Sequence, residues 1–218
     1  SNLQAAVRMD PGVMSAWIAW LDALLIMQDA PRLREESAKA LEVLPHQPEI
    51  QALAGVGLAL TGDLETAEPL LTALMQADQT PPLVRHGLGT IAQERGNASE
   101  AEGLYRAEIE AYPPGIPSRR HLVALYAAQQ DYDRQLAELE QIAELEPPSA
   151  ITRLARAQAL FNLQRYDEAL PMVQGCLELV PGTPACKMLE ANTLHKLGRE
   201  EEALAALQAA RAAMGSVE

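Results

Sequence analysis

The chain has 218 residues and a formal net charge of −13, with 48% hydrophobic residues and only 4% aromatic ones. An acidic surplus of that size argues against nucleic acid, whose phosphates need Lys and Arg, and against a general attraction to anionic membranes. No run approaches the roughly 20 apolar residues that span a bilayer, and no signal peptide is visible.

Taken in order, residues 3–10 read as the last turns of a second helix whose first helix is missing, closed by Pro11. The expectation is a parent protein with an earlier domain. Residues 14–27 form the first full helix, with Trp17, Trp20, Leu24 and Leu25 at helical spacing. Asp29-Ala30-Pro31 makes a turn, and residues 31–43 give the partner helix, with Pro31 suited to a first helical position. Later turns fall at Thr61-Gly62-Asp63, Gly96-Asn97 and Gly198, glycines in one register that suit the left-handed closure of a helix. Tyr112-Pro113-Pro114-Gly115-Ile116-Pro117 is rigid and reads as a non-helical, distorted joint. The final helix, about 200–213, opens with Glu200, Glu201 and Glu202, well placed against the helix dipole.

A fixed interval runs through these elements. Pro181, Pro147 and Pro113 are spaced by 34 residues; the next position back is Gln79, and the series resumes at Pro45 and Pro11. Proline ends a helix there because it lacks an N–H and disfavours helix at the residue before it. Leu24, Leu58, Ala92, Tyr126, Leu160 and Leu194 share a second register; Leu33, Ala67, Ala101, Gln135, Ala169 and Ala203 share a third. Gly55, Gly89, Ala157 and Ala191 share a fourth, where small residues let two helices approach closely. The stretch 150–183 shows the unit best: two amphipathic helices, a short polar turn and a closing proline. A period of this size is the signature of stacked helical hairpins.

Trp17, Gly55, Gly89 and Tyr126 on first helices, and Ala67, Ala101, Tyr105, Ala169, Ala203 and the prolines on second ones, resemble the tetratricopeptide repeat. The resemblance covers the whole chain: residues 1–13 end a truncated helix, and six repeats follow at 14–47, 48–81, 82–115, 116–149, 150–183 and 184–217, within a domain of residues 14–218. It implies an all-α fold, an alpha-alpha superhelix of antiparallel helix pairs. Each hairpin in such an array touches only its neighbours. The departures are Arg156 and Glu190 in an apolar slot, Glu108 in a small one and Ser37 in an aromatic one.

Chemistry is sparse. No nucleophile–base pair, metal cluster or paired carboxylates stand at catalytic spacing, so the sequence reads as no enzyme, with no cofactor and no metal. Gly55-Val56-Gly57 with Gly62 lies inside a predicted helix with no Lys after it, and reads as packing and not as a phosphate loop. Cys176 and Cys186 could form a disulfide or serve as two small buried apolar residues; the second reading is favoured. Asn97-Ala98-Ser99 is a formal glycosylation sequon, read instead as the cap of a helix starting near residue 98. Arg85, Arg119, Arg153 and Lys187 recur at the repeat interval, each in the first turn of a first helix, where a cation opposes the dipole. Pairing with acidic residues on neighbouring helices is favoured over a basic strip for an anion.

The family resemblance implies that first helices line an inner surface where peptides bind. Transferred to this sequence, it places His86, Thr90, Gln93, Arg120, Ala124, Leu154, Gln158, Phe161, Met188, Asn192 and His195 on a peptide-binding groove. The Lys and Asn clamp of family members that bind chaperone tails is absent: Asn192 pairs with Met188, and Gln158 with Leu154. The expected function is a noncatalytic protein-protein interaction scaffold that binds a peptide or helix of a partner. An alternative is the regulatory or substrate-presenting region of a larger multidomain enzyme, such as a glycosyltransferase, hydrolase or thioredoxin-like protein. Self-association through the array ends is a third expectation. The compartment stays open between cytoplasm and periplasm.

Overall fold

The computed structural model describes residues 2–77 and 80–215; Gln79, the gap in the proline series, lies outside them. The described residues form 13 α-helices and no strand. In order these are α1 (Asn2–Met9), α2 (Met14–Ile26), α3 (Ala30–Val43), α4 (Pro48–Leu60), α5 (Leu64–Met75), α6 (Val84–Glu94) and α7 (Ala98–Ala111). Then follow α8 (Ile116–Ala128), α9 (Tyr132–Leu145), α10 (Ala150–Asn162), α11 (Tyr166–Leu179), α12 (Pro184–Lys196) and α13 (Glu200–Gly215). The chain divides into two compact units, Ser1–His121 and Leu122–Glu218.

One turn recurs between the two helices of a pair. Gln28, Gly62, Gly96, Gln130, Gln164 and Gly198 all adopt left-handed backbone, with φ between 58° and 83°. The residue after each donates its N–H to the carbonyl five positions back: Asp29 to Leu24, Asp63 to Leu58, Asn97 to Ala92, Asp131 to Tyr126, Arg165 to Leu160 and Arg199 to Leu194, at 2.8–3.0 Å. These bonds satisfy carbonyls that a helix end would leave orphaned. Sequence reasoning finds the three glycines; glutamine holds the same conformation at the other three turns.

Among the described residues the core is a series of separate clusters along the chain, each shared by several successive helices. In the first unit Trp17, Trp20, Leu21, Leu24, Leu33 and Ile50 bury together, followed by Ala52, Ala67, Leu71, Val84 and Ile91. In the second, Leu136, Leu139, Leu160 and Ala169 precede Ala157, Val173, Cys176, Leu189 and Leu194. Ala67, Ala101 and Ala169 are fully buried, as close helix approach requires. At Gly89 a Cβ would stand 2.8 Å from the Tyr105 ring, so only glycine leaves room there.

Several expectations need correction. The joint is shorter than expected: α8 begins at Ile116 and takes Pro117 into its first turn, where a missing N–H leaves no helical bond unmade. The Pro113–Pro114 peptide is cis, and the Tyr112 hydroxyl donates to the Thr80 carbonyl. Asn97 occupies the N-cap position of α7, but its side chain makes no cap bond and its amide donates to Glu100 at 3.3 Å. Cys176 and Cys186 are not two separate apolar residues; they are joined in a disulfide between α11 and α12, with Cα atoms 6.4 Å apart. The nearest-neighbour rule also fails within the first unit. Arg120 Nη1 on α8 donates to the Ile26 carbonyl at the end of α2, at 2.8 Å, past α4 and α6.

Two of the four sequence departures, Ser37 and Glu108, acquire reasons. Ser37 donates its hydroxyl to the Arg34 carbonyl at 3.1 Å. Glu108 accepts the Leu83 N–H at 2.6 Å and so caps α6, whose own N-cap residue Leu83 is left-handed, at φ 71°, and offers no side-chain acceptor.

Candidate binding surfaces

Three of the four ladder cations, Arg119, Arg153 and Lys187, reach backbone carbonyls. Arg153 Nη1 donates to the Gly175 carbonyl at 2.8 Å, and Lys187 Nζ reaches the Ala209 carbonyl at 3.5 Å. Both acceptors lie late in the antiparallel partner helix, where the dipole is negative. Arg153 also lies 3.6 Å from Glu178, and Arg119 Nε donates to the Pro114 carbonyl at 2.9 Å. The acidic partners expected here are present at Arg153, beside Glu178, and at Arg85, whose charge acts on Glu108, and partner-helix carbonyls add to them at Arg153 and Lys187. Gly175 leaves room beside it for the end of the Arg153 side chain.

In the first unit, two of the anticipated groove residues are not accessible. His86 is 0% and Thr90 3% exposed, so burial removes both from any surface that a partner could touch. They belong to a polar cluster. His86 Nδ1 lies 3.1 Å from Ser118 Oγ, and the His86 and His121 rings meet edge to face at 5.0 Å. Tyr105 donates its hydroxyl to Gln93 Oε1 at 3.0 Å, and His121 Nδ1 lies 2.9 Å from that hydroxyl oxygen and 3.3 Å from the same Gln93 oxygen. Gln93 Oε1 only accepts and Tyr105 has one proton, so His121 Nδ1 is the protonated nitrogen. Burial holds His121 down at about 4, and burial, then the neighbouring His121, holds His86 well below its ordinary value. Both rings are therefore neutral at physiological pH. Half-buried Arg120 and both histidines line a cavity of 170 Å³ with Leu25, Gln28 and Leu60.

The second unit keeps an open face. Leu154, Gln158 and Phe161 on α10 repeat in register as Met188, Asn192 and His195 on α12. Spacings of four and three residues put each trio on one side of its helix. Gln158, Asn192 and His195 are exposed, and Met188 is 40% exposed although apolar. Leu154 and Phe161 are half-buried at the base, with the Phe161 ring 5.2 Å from Tyr166. Gln158 donates to Asn162 at 3.4 Å, and His195 Nδ1 lies 3.0 Å from Glu200. Ala124 is exposed on α8 in the same unit. Among the described residues no group of three His, Cys, Asp or Glu side chains could hold a metal ion, and no helix is long and apolar enough to cross a membrane.

Sequence reasoning missed the capping role of Glu108, the half-buried Asp22 and the reach of Arg120. Glu108 carried a signal, a charge in a slot that asks for a small residue; Asp22 carried none.

Helix pairs closed by one recurrent turn and packed through small residues give an all-α fold of the tetratricopeptide-repeat type. A family model described as anaphase-promoting complex, cyclosome, subunit 3, matches residues 128–210. Among solved structures the chain is similar to MamA from AMB-1, at 27% identity, covering 74% of this chain and 88% of that one with a TM-score of 0.66. MamA from MSR-1 is similar at 26% identity, covering 75% and 94%, with a TM-score of 0.65. A chain of the APC/C hetero-tetramer Cut9–Hcn1 shares the fold at 16% identity, covering 97% of this chain and 42% of that one, with a TM-score of 0.65. None of the curated proteins matches the chain.

Proposed function

We propose that the chain is a noncatalytic protein-interaction scaffold that takes a peptide or helix of a partner protein along α10 and α12. One observation carries this reading: Met188 stands 40% exposed on the same side of α12 as exposed Asn192 and His195, while the matching Leu154 and Phe161 on α10 are half-buried. Methionine adapts its shape to varied apolar partners. An apolar strip with polar groups at helical spacing suits the capture of an amphipathic helix or an extended peptide. Gln158, Asn192 and His195 supply both donors and acceptors for a backbone laid across them. The hetero-tetramer Cut9–Hcn1 offers a precedent on the same fold, a repeat chain assembled with another protein.

The test begins with peptides selected against the purified chain from a displayed library. Their affinity is then measured for Met188→Glu, Asn192→Ala and a control on another face, Glu138→Gln. Binding that falls roughly tenfold in the first two and is unchanged in the control supports the wall. Affinity that is equal in all three variants removes it.

A further inference from the structure

Arg156, on the second turn of α10, puts a charge into a slot that asks for an apolar residue. Its Nε is buried without a hydrogen-bond partner, and among the described residues no hydrogen bond or ion pair reaches the rest of its guanidinium. The chain has 30 acidic residues against 17 Lys and Arg, so acids to meet it are plentiful, yet none does. Arg156 lines a cavity of 130 Å³ in the second unit, where the end of α9 meets the start of α10. Ser149, Thr152 and Arg153 line it too, and with Arg156 they follow the i, i+3, i+4, i+7 spacing of one helix face. Ser149 is the N-cap residue of α10, yet its side chain makes no cap bond, and among the described residues no hydrogen bond reaches the Thr152 hydroxyl. Unlike Nε, the two Nη atoms of Arg156 keep accessible surface, as do the Ser149 and Thr152 hydroxyls. Glu146, the one acid on the wall, already has a partner.

Two cations near the start of a helix oppose its dipole, and the first N–H groups of a helix have no partner within it. Arg153 is offset by the Gly175 carbonyl and by Glu178. Arg156 has no such offset, and a guanidinium partly out of water is costly until an anion meets it. The face offers guanidinium, hydroxyl and backbone donors together and lacks a negatively charged acceptor. We propose that this cavity binds a phosphate group, its oxygens on the Arg156 guanidinium, the Ser149 and Thr152 hydroxyls and the first N–H groups of α10. A guanidinium matches phosphate with two parallel bonds, and a helix N-terminus favours an anion. The 130 Å³ equal the share of about four water molecules in the liquid, at about 30 Å³ each, which admits one phosphate group and excludes a nucleotide. Inorganic phosphate and a phosphorylated side chain present the same chemistry. The site is separate from the wall of Leu154, Gln158 and Phe161 on another side of α10, and neither reading depends on the other.

The experiment is a titration of the intact chain at constant ionic strength, followed by NMR, with inorganic phosphate, with N-acetyl-O-phosphoserine methylamide and with acetate as a singly charged control. Saturable phosphate binding is expected, roughly tenfold tighter than acetate and weakened roughly tenfold by Arg156→Leu, which restores the apolar residue the slot asks for. The double variant Ser149→Ala with Thr152→Val leaves the charge unchanged and should weaken binding roughly fivefold, which separates a built site from general attraction to cations. If Arg156→Leu fails to fold, the double variant decides alone. Binding of the blocked phosphoserine as well assigns the site to phosphorylated side chains, and its exclusion assigns it to the free ion; both uphold the proposal. No saturable binding, equal binding of acetate, or phosphate affinity unchanged in the folded variants would overturn it.

Discussion

The guanidinium of Arg120 donates to the carbonyl of Ile26 across 94 residues of sequence. A helical-repeat array built only from neighbour contacts has no such bond. It joins the start of α8 to the end of α2, and Pro117 and Leu25 of those two helices line one cavity together with Arg120. The inner side of this unit is therefore occupied, which is why His86 and Thr90 are buried.

The glutamines in left-handed turns are a reserve of stability. A side chain at positive φ costs about 1 kcal/mol that glycine avoids. Gln130 has φ 59° and is exposed. Gln130→Gly should raise stability by about 0.5–1 kcal/mol in urea unfolding, since strain relief outweighs the added freedom of the unfolded chain. A fall in stability would show that glutamine makes compensating contacts there.

Gly89 faces the fully buried Tyr105, whose hydroxyl is fixed by Gln93. The ring has no free direction in which to yield. Gly89→Ala should cost about 1–3 kcal/mol despite the better helix propensity of alanine. A stabilised variant, measured by thermal melting, would mean that the helices can part without loss.

Burial holds the His121 imidazole at about 4, below its ordinary 6.5. Between those values the unfolded chain takes up a proton that the folded chain refuses. Stability therefore falls as pH drops through that window and levels off below it, by about 3 kcal/mol for this group. His86, depressed by burial and then by His121, acts in the same direction. Asp22 and Glu108 act oppositely: burial raises both, so the folded chain retains their protons and gains stability as pH falls through their raised range. His121→Gln can still donate to Tyr105 but does not titrate. Its unfolding free energy should lose less than that of the wild type between pH 7 and about 4. Parallel pH profiles would contradict the buried, neutral assignment of His121.

The Cys176–Cys186 disulfide closes a short loop between α11 and α12, across a sequence separation of 10. Cross-linking so short a loop is worth about 2–3 kcal/mol by restriction of the unfolded chain. Both sulfurs are buried, so reduction should be slow in the folded protein and should lower the denaturation midpoint once complete. A midpoint insensitive to reductant would refute the linkage. The double variant Cys176→Ala with Cys186→Ala should match the reduced protein.

Much of the fold was legible because a repeat writes each requirement several times. The proline interval, the small residues at Gly89 and Ala157 and the glycines at Gly62, Gly96 and Gly198 are local needs, and local needs appear in composition. Gln28, Gln130 and Gln164 hid three identical turns because hydrogen bonds to Leu24, Tyr126 and Leu160 enforce the conformation without glycine. Glu108 stood out as a charge in a small slot, but its purpose depends on Leu83, 25 residues away, and only the packed helices reveal it. His86 and Thr90 carry the right periodicity for an inner wall. Periodicity gives the face of a helix and not what covers that face; here α8 and the end of α2 do so.

The closure of the inner side of the first unit is tested most directly by a distance. Nitroxide labels on Met27→Cys and Arg119→Cys flank the Arg120–Ile26 bond, and the native thiols are engaged in the disulfide, so the engineered pair alone is labelled. A closed inner face predicts a short, narrow distance distribution that broadens when Arg120→Gln is added. A long or broad distribution in the parent pair, unmoved by Arg120→Gln, would contradict it.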